Sequence, residues 1–148
     1  MKPSINAVAG GGKKAYIVGM KGQINVERQI AYWRKGGLED WTVGYDLVKR
    51  GTTRHGLFFV HLALEKTLKA HVCKATQDFA PKLHTLLVLA QKAALPVSEE
   101  QKDFLTTFDR FNIAGRYPES RGPGPTKSEA AKQLVRAQEM FEWLTKQF

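Results

Sequence analysis

The segment TRHGLFFVHLALEKTLKAHVCK, residues 53–74, decides the fold of this chain. Its apolar residues recur at intervals of three and four positions, which is the period of an α-helix and not of a β-strand. The main stripe consists of Leu57, Val60, Leu64, Leu68 and Val72, and Phe58, Phe59 and Leu62 widen it. A helix that is apolar on most sides is packed on most sides, so we expect other elements to surround this one.

A second helical pattern begins near Val26 and leads into the first. Its stripe consists of Ile30, Trp33, Gly37, Trp41, Gly44 and Val48. Glycine inside a helix costs about 1 kcal/mol relative to alanine. These glycines, together with Gly36, therefore predict either a break in the helix or a close approach of two helices. Gly51 is expected to end the helix, and Thr52 or Thr53 can cap the next one.

Three more helical patterns follow. A third helix is expected within residues 83–95, where leucines and alanines keep a helical stripe. Residues 98–101, Ser-Glu-Glu-Gln, have the spacing of a capping box and predict the start of helix four. This helix should end near Gly115. A loop rich in glycine and proline then precedes helix five, which starts at Thr126 or Ser128.

No strand pattern of comparable strength appears in residues 26–148, so the predicted fold class is an all-α helical bundle. Residues 1–25 differ in composition, because they are rich in glycine and lysine and contain no acidic residue. We expect them to form a basic N-terminal arm, either flexible or folded as one short edge hairpin.

The charge balance indicates a polyanionic partner. The chain has 23 lysines and arginines against 14 acidic residues, a net charge of +9. Such an excess raises the local concentration of polyanions without identifying them. The apolar runs are too short to span a bilayer and no signal-peptide core is present, so we expect a soluble cytoplasmic protein. The single cysteine, Cys73, excludes an internal disulfide and is expected to be a buried thiol.

Beyond the helical periodicity, the chain carries an ordered set of particular residues. The set comprises Trp33, Glu39-Asp40, Gly51, Arg54-His55, Phe58-Phe59, Ala63, Glu65-Lys66, Leu68, Lys69-Ala70, His84, Leu86-Leu87 and Arg116-Tyr117-Pro118-Glu119. In this order, over residues 26–148, it resembles the small bacterial HEPN domains, a family named for nucleotide binding in higher eukaryotes and prokaryotes.

This resemblance implies an up-and-down bundle of four longer helices plus a short additional helix, often assembled as a homodimer. It also implies partnership with a minimal nucleotidyltransferase encoded beside it, in pairs of the toxin–antitoxin type. Some members of the family are metal-independent endoribonucleases. Their signature is an arginine, four to six residues, and then a histidine at the end of a late helix.

The histidine of that signature is missing here. Counting from Arg110, it should stand at one of three positions, which hold Gly115, Arg116 and Tyr117. Metal-free RNA cleavage needs a base for the 2′-hydroxyl proton, and arginine stays protonated. We therefore predict no catalytic residue of the usual kind. No pair of histidines has the spacing of a zinc-binding helix, so we expect neither a metal site nor a cofactor.

The end of helix four is the first candidate binding element. Arg110, Arg116 and Tyr117 can bind a phosphate through guanidinium groups and stack on a base. The structural alternative is that Arg116 caps helix carbonyls while Tyr117 packs on the bundle. Both roles are compatible, because a residue that shapes a groove can also line it.

The second candidate element lies on helix two. His61, Glu65 and Lys69 are spaced by four residues and share one line along the helix. They border a groove, or else His61 is a core residue and Glu65 with Lys69 is an ordinary ion pair. His55 and His84 stand at predicted helix starts, where a structural hydrogen bond is the expected role.

Three functions are compatible with the sequence. The leading hypothesis is a non-catalytic HEPN-type module that binds nucleotide or RNA phosphate and partners a nucleotidyltransferase. The second is a divergent metal-independent endoribonuclease, in which Arg110 and Arg116 act with a distant histidine or tyrosine. The third is a domain that only holds the nucleotidyltransferase.

Overall fold

The computed structural model describes residues 24–117 and 122–148, and the predicted N-terminal arm lies almost wholly outside them. The described residues form six α-helices and no strand, so the predicted all-α bundle is confirmed. The helices are α1 (Val26–Lys49), α2 (Thr53–Thr76), α3 (Leu86–Lys92), α4 (Glu99–Phe108), α5 (Arg110–Arg116) and α6 (Lys127–Lys146). None of them combines the length and the apolar character needed to cross a membrane.

Helix α2 is the centre of the bundle, as its sequence predicts. It contacts α1, α3, α5 and α6. Its apolar stripe is completely or almost completely buried, and so is the single thiol of Cys73. Burial, with a smaller contribution from Asp78, raises the pKa of that thiol. The core that surrounds α2 is closed by Leu86, Leu89, Phe104, Leu105, Phe108, Leu134, Ala137, Met140 and Leu144.

Helices α1 and α2 approach each other through glycines, which settles the alternative posed by their sequence in favour of close contact. Helix α1 is continuous across positions 36 and 37. A Cβ atom built on Gly37 would lie 2.6 Å from the Thr67 Oγ1 atom, and one on Gly44 would lie 2.8 Å from the Gly56 carbonyl oxygen. We call Gly37, Gly44 and Gly56 the glycine seam. It allows the two backbones to touch.

The region predicted as helix four is divided in the structure. Its start is as predicted, because Ser98 and Gln101 form a complete capping box. The helix stops at Phe108, and after Asp109 the separate helix α5 begins. Helix α3 is also shorter than predicted. The bundle therefore has four longer helices, α1, α2, α4 and α6, and two short ones.

Helix α6 closes the bundle. Thr126 caps its first turn in a second capping box, so the first of the two predicted start positions is the N-cap. Towards the other end of α6, Trp41 of α1 stacks on Phe141 with ring centroids 4.8 Å apart. The loop before α6 is tied to α2, because the Thr53 hydroxyl donates to the Pro125 carbonyl at 2.7 Å.

A buried histidine joins the ends of α2 and α6. The Nε2 atom of His71 lies 2.8 Å from the Leu144 carbonyl oxygen, and its ring stacks on Phe148 at a centroid distance of 3.7 Å. Burial lowers the pKa of His71 below the ordinary 6.5. The hydrogen bond to Leu144 opposes this shift, and the charges of Lys74 and Arg34 add to it.

We expect the free energy of unfolding to decrease as the pH falls below about 6.5. The unfolded chain takes up a proton on His71 near that pH, while the folded protein resists it. The unfolded state then binds more protons, so stability rises with pH in this range, by at most about 1.4 kcal/mol per pH unit. Urea unfolding at several pH values checks this. His71→Gln should flatten the profile, and an unchanged slope would contradict the assignment.

Candidate functional site

A row of polar side chains runs through the interior of the bundle along α2. Glu65 is its centre: its Oε2 atom lies 3.0 Å from the Lys69 Nζ atom and 2.9 Å from the His84 Nδ1 atom. One turn earlier on α2, His61 Nε2 lies 2.9 Å from the Oδ1 atom of Asp109. We call these five residues the polar row.

The polar row is buried at its centre. His61 is fully buried, Glu65 is 3% exposed and Lys69 is 6% exposed. The ammonium group of Lys69 also lies 5.1 Å from the centre of the Trp33 ring, a favourable cation–π contact. Buried charges are tolerated only when they are paired, so Glu65 and Lys69 depend on each other. Only His84, at one end, has a side chain that is half exposed.

One gap remains inside the row. The Nδ1 atom of His61 and the Oε1 atom of Glu65 are 3.7 Å apart, which is too long for a hydrogen bond. Both atoms are buried and have no hydrogen-bond partner among the described residues. On the other side of the ring, the Asp109 carboxylate can only accept hydrogen bonds. His61 Nε2 therefore carries the proton of the hydrogen bond between His61 and Asp109.

A cleft of about 330 Å³ lies between the start of α2, helix α5 and the loop before α6. Two arginines from different elements line it, Arg54 of α2 and Arg110 of α5. The Nε atom of Arg54 is buried without a hydrogen-bond partner among the described residues, while another of its nitrogens donates to the Gly122 carbonyl. The remaining lining residues are Phe111, Ile113, Ala114, Pro123, Gly124 and Pro125.

Arg116 and Tyr117 do not line this cleft. The Nε atom of Arg116 donates to the Asn112 side chain at 2.9 Å, and its guanidinium lies 5.7 Å from the centre of the Phe58 ring. Tyr117 is 56% exposed and follows directly after α5. The next residues of the Arg-Tyr-Pro-Glu element, Pro118 and Glu119, lie outside the described part of the chain.

The six residues predicted as a site therefore fall into separate groups. His61, Glu65 and Lys69 belong to the polar row, and Arg110 belongs to the cleft. Arg116 and Tyr117 stand at the far end of α5. The two principal groups are joined covalently, because Asp109 of the row is followed at once by Arg110 of the cleft.

One residue of the cleft and one of the polar row were not predicted as site residues. Arg54 is part of the family-like set, but its pairing with Arg110 depends on how α5 is folded back onto α2. Asp109 gave no signal, because it lies inside a run that reads as continuous helix.

The histidines are placed as follows. His61 and His71 are buried and bonded, to Asp109 and to the Leu144 carbonyl. His84 contacts Glu65, in agreement with the structural hydrogen bond expected for it. His55 is exposed at the start of α2. Among residues 24–117 and 122–148, no three histidine, cysteine or acidic side chains are grouped so as to hold a metal ion.

Comparison with known proteins agrees with this architecture. The family model of the HEPN domain matches residues 30–147. The crystal structure of TT1696 from Thermus thermophilus is similar, with a TM-score of 0.67 and 22% sequence identity over 81% of this chain and 98% of that one. No curated protein matches the sequence. Because the family model covers most of the chain, this protein belongs to the HEPN domain family.

Proposed function

We propose that this HEPN domain binds the phosphate of a nucleotide or of RNA in the cleft and does not cleave it. The observation that carries the proposal is the convergence of Arg54 and Arg110, from two different helices, on one cleft. Two guanidinium groups that face a common space can bind a phosphate through charge-assisted hydrogen bonds, which are about twice as strong as neutral ones.

The rest of the cleft supports the same ligand class. None of its eight lining residues is acidic, so nothing in the lining opposes a bound anion. The two prolines of the lining, Pro123 and Pro125, offer apolar surface on which a base or a ribose can rest. The net charge of +9 attracts polyanions to the domain from a distance.

Binding without cleavage is favoured because none of the eight residues that line the cleft is a histidine. The histidine that contacts Asp109, the residue before Arg110, is His61, and it is fully buried and hydrogen-bonded. It therefore does not reach a 2′-hydroxyl group in the cleft without unfolding of the core. Arg110 alone can hold a phosphate but cannot accept a proton.

We extend the proposal to protein partners, namely a minimal nucleotidyltransferase and a second copy of the domain. The support is membership of the family together with large apolar side chains that α1 exposes to solvent. These are Tyr32, Leu38, Val43 and Tyr45. Exposed apolar side chains of this size are available for contact with a partner protein. Size-exclusion chromatography of the domain, alone and with a co-expressed minimal nucleotidyltransferase, tests both partners.

Arg110→Ala is expected to weaken the binding of a fluorescent single-stranded RNA about 10- to 100-fold, because hydrogen bonds to charged groups contribute roughly 1.5–3 kcal/mol. The slope of log Kd against log salt should decrease by about 1. Arg54→Ala should act in the same direction. Titration followed by fluorescence anisotropy measures both quantities, and ATP as competitor reports whether a mononucleotide suffices.

Arg28→Ala is the matched control. It removes the same charge from an exposed position in the first turn of α1, about 30 Å along the helix from the turn into α2. Equal weakening in the control would mean that RNA is attracted by net charge alone. RNA cleavage without metal that is lost in Arg110→Ala or Arg116→Ala would establish the endoribonuclease instead.

A further inference from the structure

The residue between α4 and α5 is held by two other helices. The Oδ1 atom of Asp109 lies 2.9 Å from the Nε2 atom of His61 on α2. The same oxygen accepts a hydrogen bond of 3.2 Å from the backbone nitrogen of Leu86, the first residue of α3. One carboxylate therefore links the α4–α5 junction to α2 and to α3.

The side chains around the contact between Asp109 and His61 are closely packed. The ring of His61 is fully buried and lies parallel to that of Phe108, with an angle of 1° and centroids 6.3 Å apart. Phe108 in turn packs against Phe104 and Phe111 at 5.0 and 4.8 Å. Phe108 immediately before Asp109, and Phe111 two residues after it, are thus anchored in the core.

The position of Arg110 depends on this junction between α4 and α5. Arg110 is the first residue of α5, and its guanidinium lies 4.7 Å from the centre of the Phe111 ring at the cleft. Successive residues of a helix point about 100° apart around its axis, and the backbone of Asp109 is itself in the right-handed helical region, with φ −59° and ψ −22°. The direction of the Arg110 side chain therefore depends on how Asp109 is held.

From this geometry we infer that Asp109, held by His61, is a positioning residue that sets Arg110 opposite Arg54 for phosphate binding. The inference rests on the proposed function of the cleft and goes beyond it, because neither Asp109 nor His61 lines the cleft. His61 acts through Asp109 and touches no ligand.

The sign of one mutational effect separates this role from simple electrostatics. A carboxylate next to an anion site repels the anion, so its removal should strengthen binding if charge alone matters. If Asp109 positions Arg110, its removal weakens binding although a negative charge is lost. The two accounts thus predict opposite changes for the same substitution.

The experiment compares Asp109→Ala with Asp109→Asn in anisotropy titrations of fluorescent single-stranded RNA. We expect Asp109→Ala to weaken binding at least fivefold. Asp109→Asn should stay within twofold of the wild type or bind more tightly, because the amide oxygen can accept both hydrogen bonds. Asp103→Ala, which removes an exposed carboxylate from α4, is the charge-matched control and should not weaken binding. Unchanged or tighter binding by Asp109→Ala overturns the inference.

Thermal unfolding of each variant establishes that it is folded. If the Asp109→Ala variant does not fold, the Asp109→Ser variant is titrated in its place. The same weakening of RNA binding is expected. Serine is a good N-cap residue, but its side chain is too short to reach His61.

A second measurement separates this inference from the proposed function. If the wild type fails to bind RNA or ATP, the proposed function fails, and the backbone amide resonances of residues 110–116 then decide the positioning role. They should shift in Asp109→Ala and keep their wild-type positions in Asp109→Asn. Resonances that do not move in Asp109→Ala exclude the positioning role, whatever the ligand.

Discussion

Gly44→Ala is expected to destabilise the protein by about 3 kcal/mol, the upper end of the range for overpacking a core. The added Cβ atom would lie 2.8 Å from the Gly56 carbonyl oxygen, 2.8 Å from the Val60 backbone nitrogen and 2.8 Å from a Val60 methyl group. Two of these atoms belong to the backbone of α2, so no rotamer change can relieve the clash. Urea unfolding at constant temperature measures the loss.

Gly36→Ala is its matched control, in the same helix and two turns earlier. There the added Cβ atom meets the Cδ atom of Lys66 at 3.1 Å, and that flexible side chain can move. Alanine also gains about 1 kcal/mol of helix propensity over glycine. We therefore expect unchanged or slightly higher stability, and a comparable loss in both variants would show that the seam is not the cause.

Glu65→Ala is expected to cost about 3–5 kcal/mol, because removal of one partner leaves buried charges uncompensated. Lys69 would keep its ammonium group in the core, and His84 would lose the contact that holds its Nδ1 atom. Thermal and urea unfolding measure the loss. Circular dichroism of the folded variant shows whether the helices survive.

The control for this prediction is Asp46→Ala. Asp46 and Arg50 form an ion pair with the same spacing of four residues as Glu65 and Lys69, and at 2.9 Å almost the same length. Both of its side chains are mostly exposed, so the pair should contribute less than about 1 kcal/mol. If the two substitutions cost the same, burial is not what makes the polar row strong.

The sequence predicts those parts of the fold that depend on local periodicity. The stripe of α2 is apolar at helical intervals, and it is the part that the core surrounds. The capping box at Ser98 marks the start of α4, because both of its partners lie within four residues of each other. The glycines of α1 are compatible with a break in the helix or with a close approach of two helices. Only the position of α2 distinguishes between these alternatives.

The break at Asp109 could not be predicted in this way. Phe104, Phe108 and Phe111 continue a helical stripe across it, so the local pattern favours one long helix. At this break the Asp109 side chain contacts His61, 48 residues away, and the backbone nitrogen of Leu86, 23 residues away. Spacing on one element gives no information about such partners.

The candidate site likewise combines features that the sequence predicts with contacts that only the tertiary structure shows. The alignment of His61, Glu65 and Lys69 follows from their spacing on α2, and the structure confirms that Glu65 contacts Lys69. The partners supplied by other elements, Asp109 and the cleft residue Arg54, are set by tertiary packing.

The glycine seam also determines how the domain can move. Helices that meet through side chains can slide by small amounts, since rotamers adjust as the contact shifts. At the seam, Gly44 faces the backbone of Gly56 and Val60 directly, so there is no such adjustment and the register of the two helices is locked. We therefore expect helices α1 and α2 to move together as one unit. Sliding between helices is then expected at the contacts that are made through side chains.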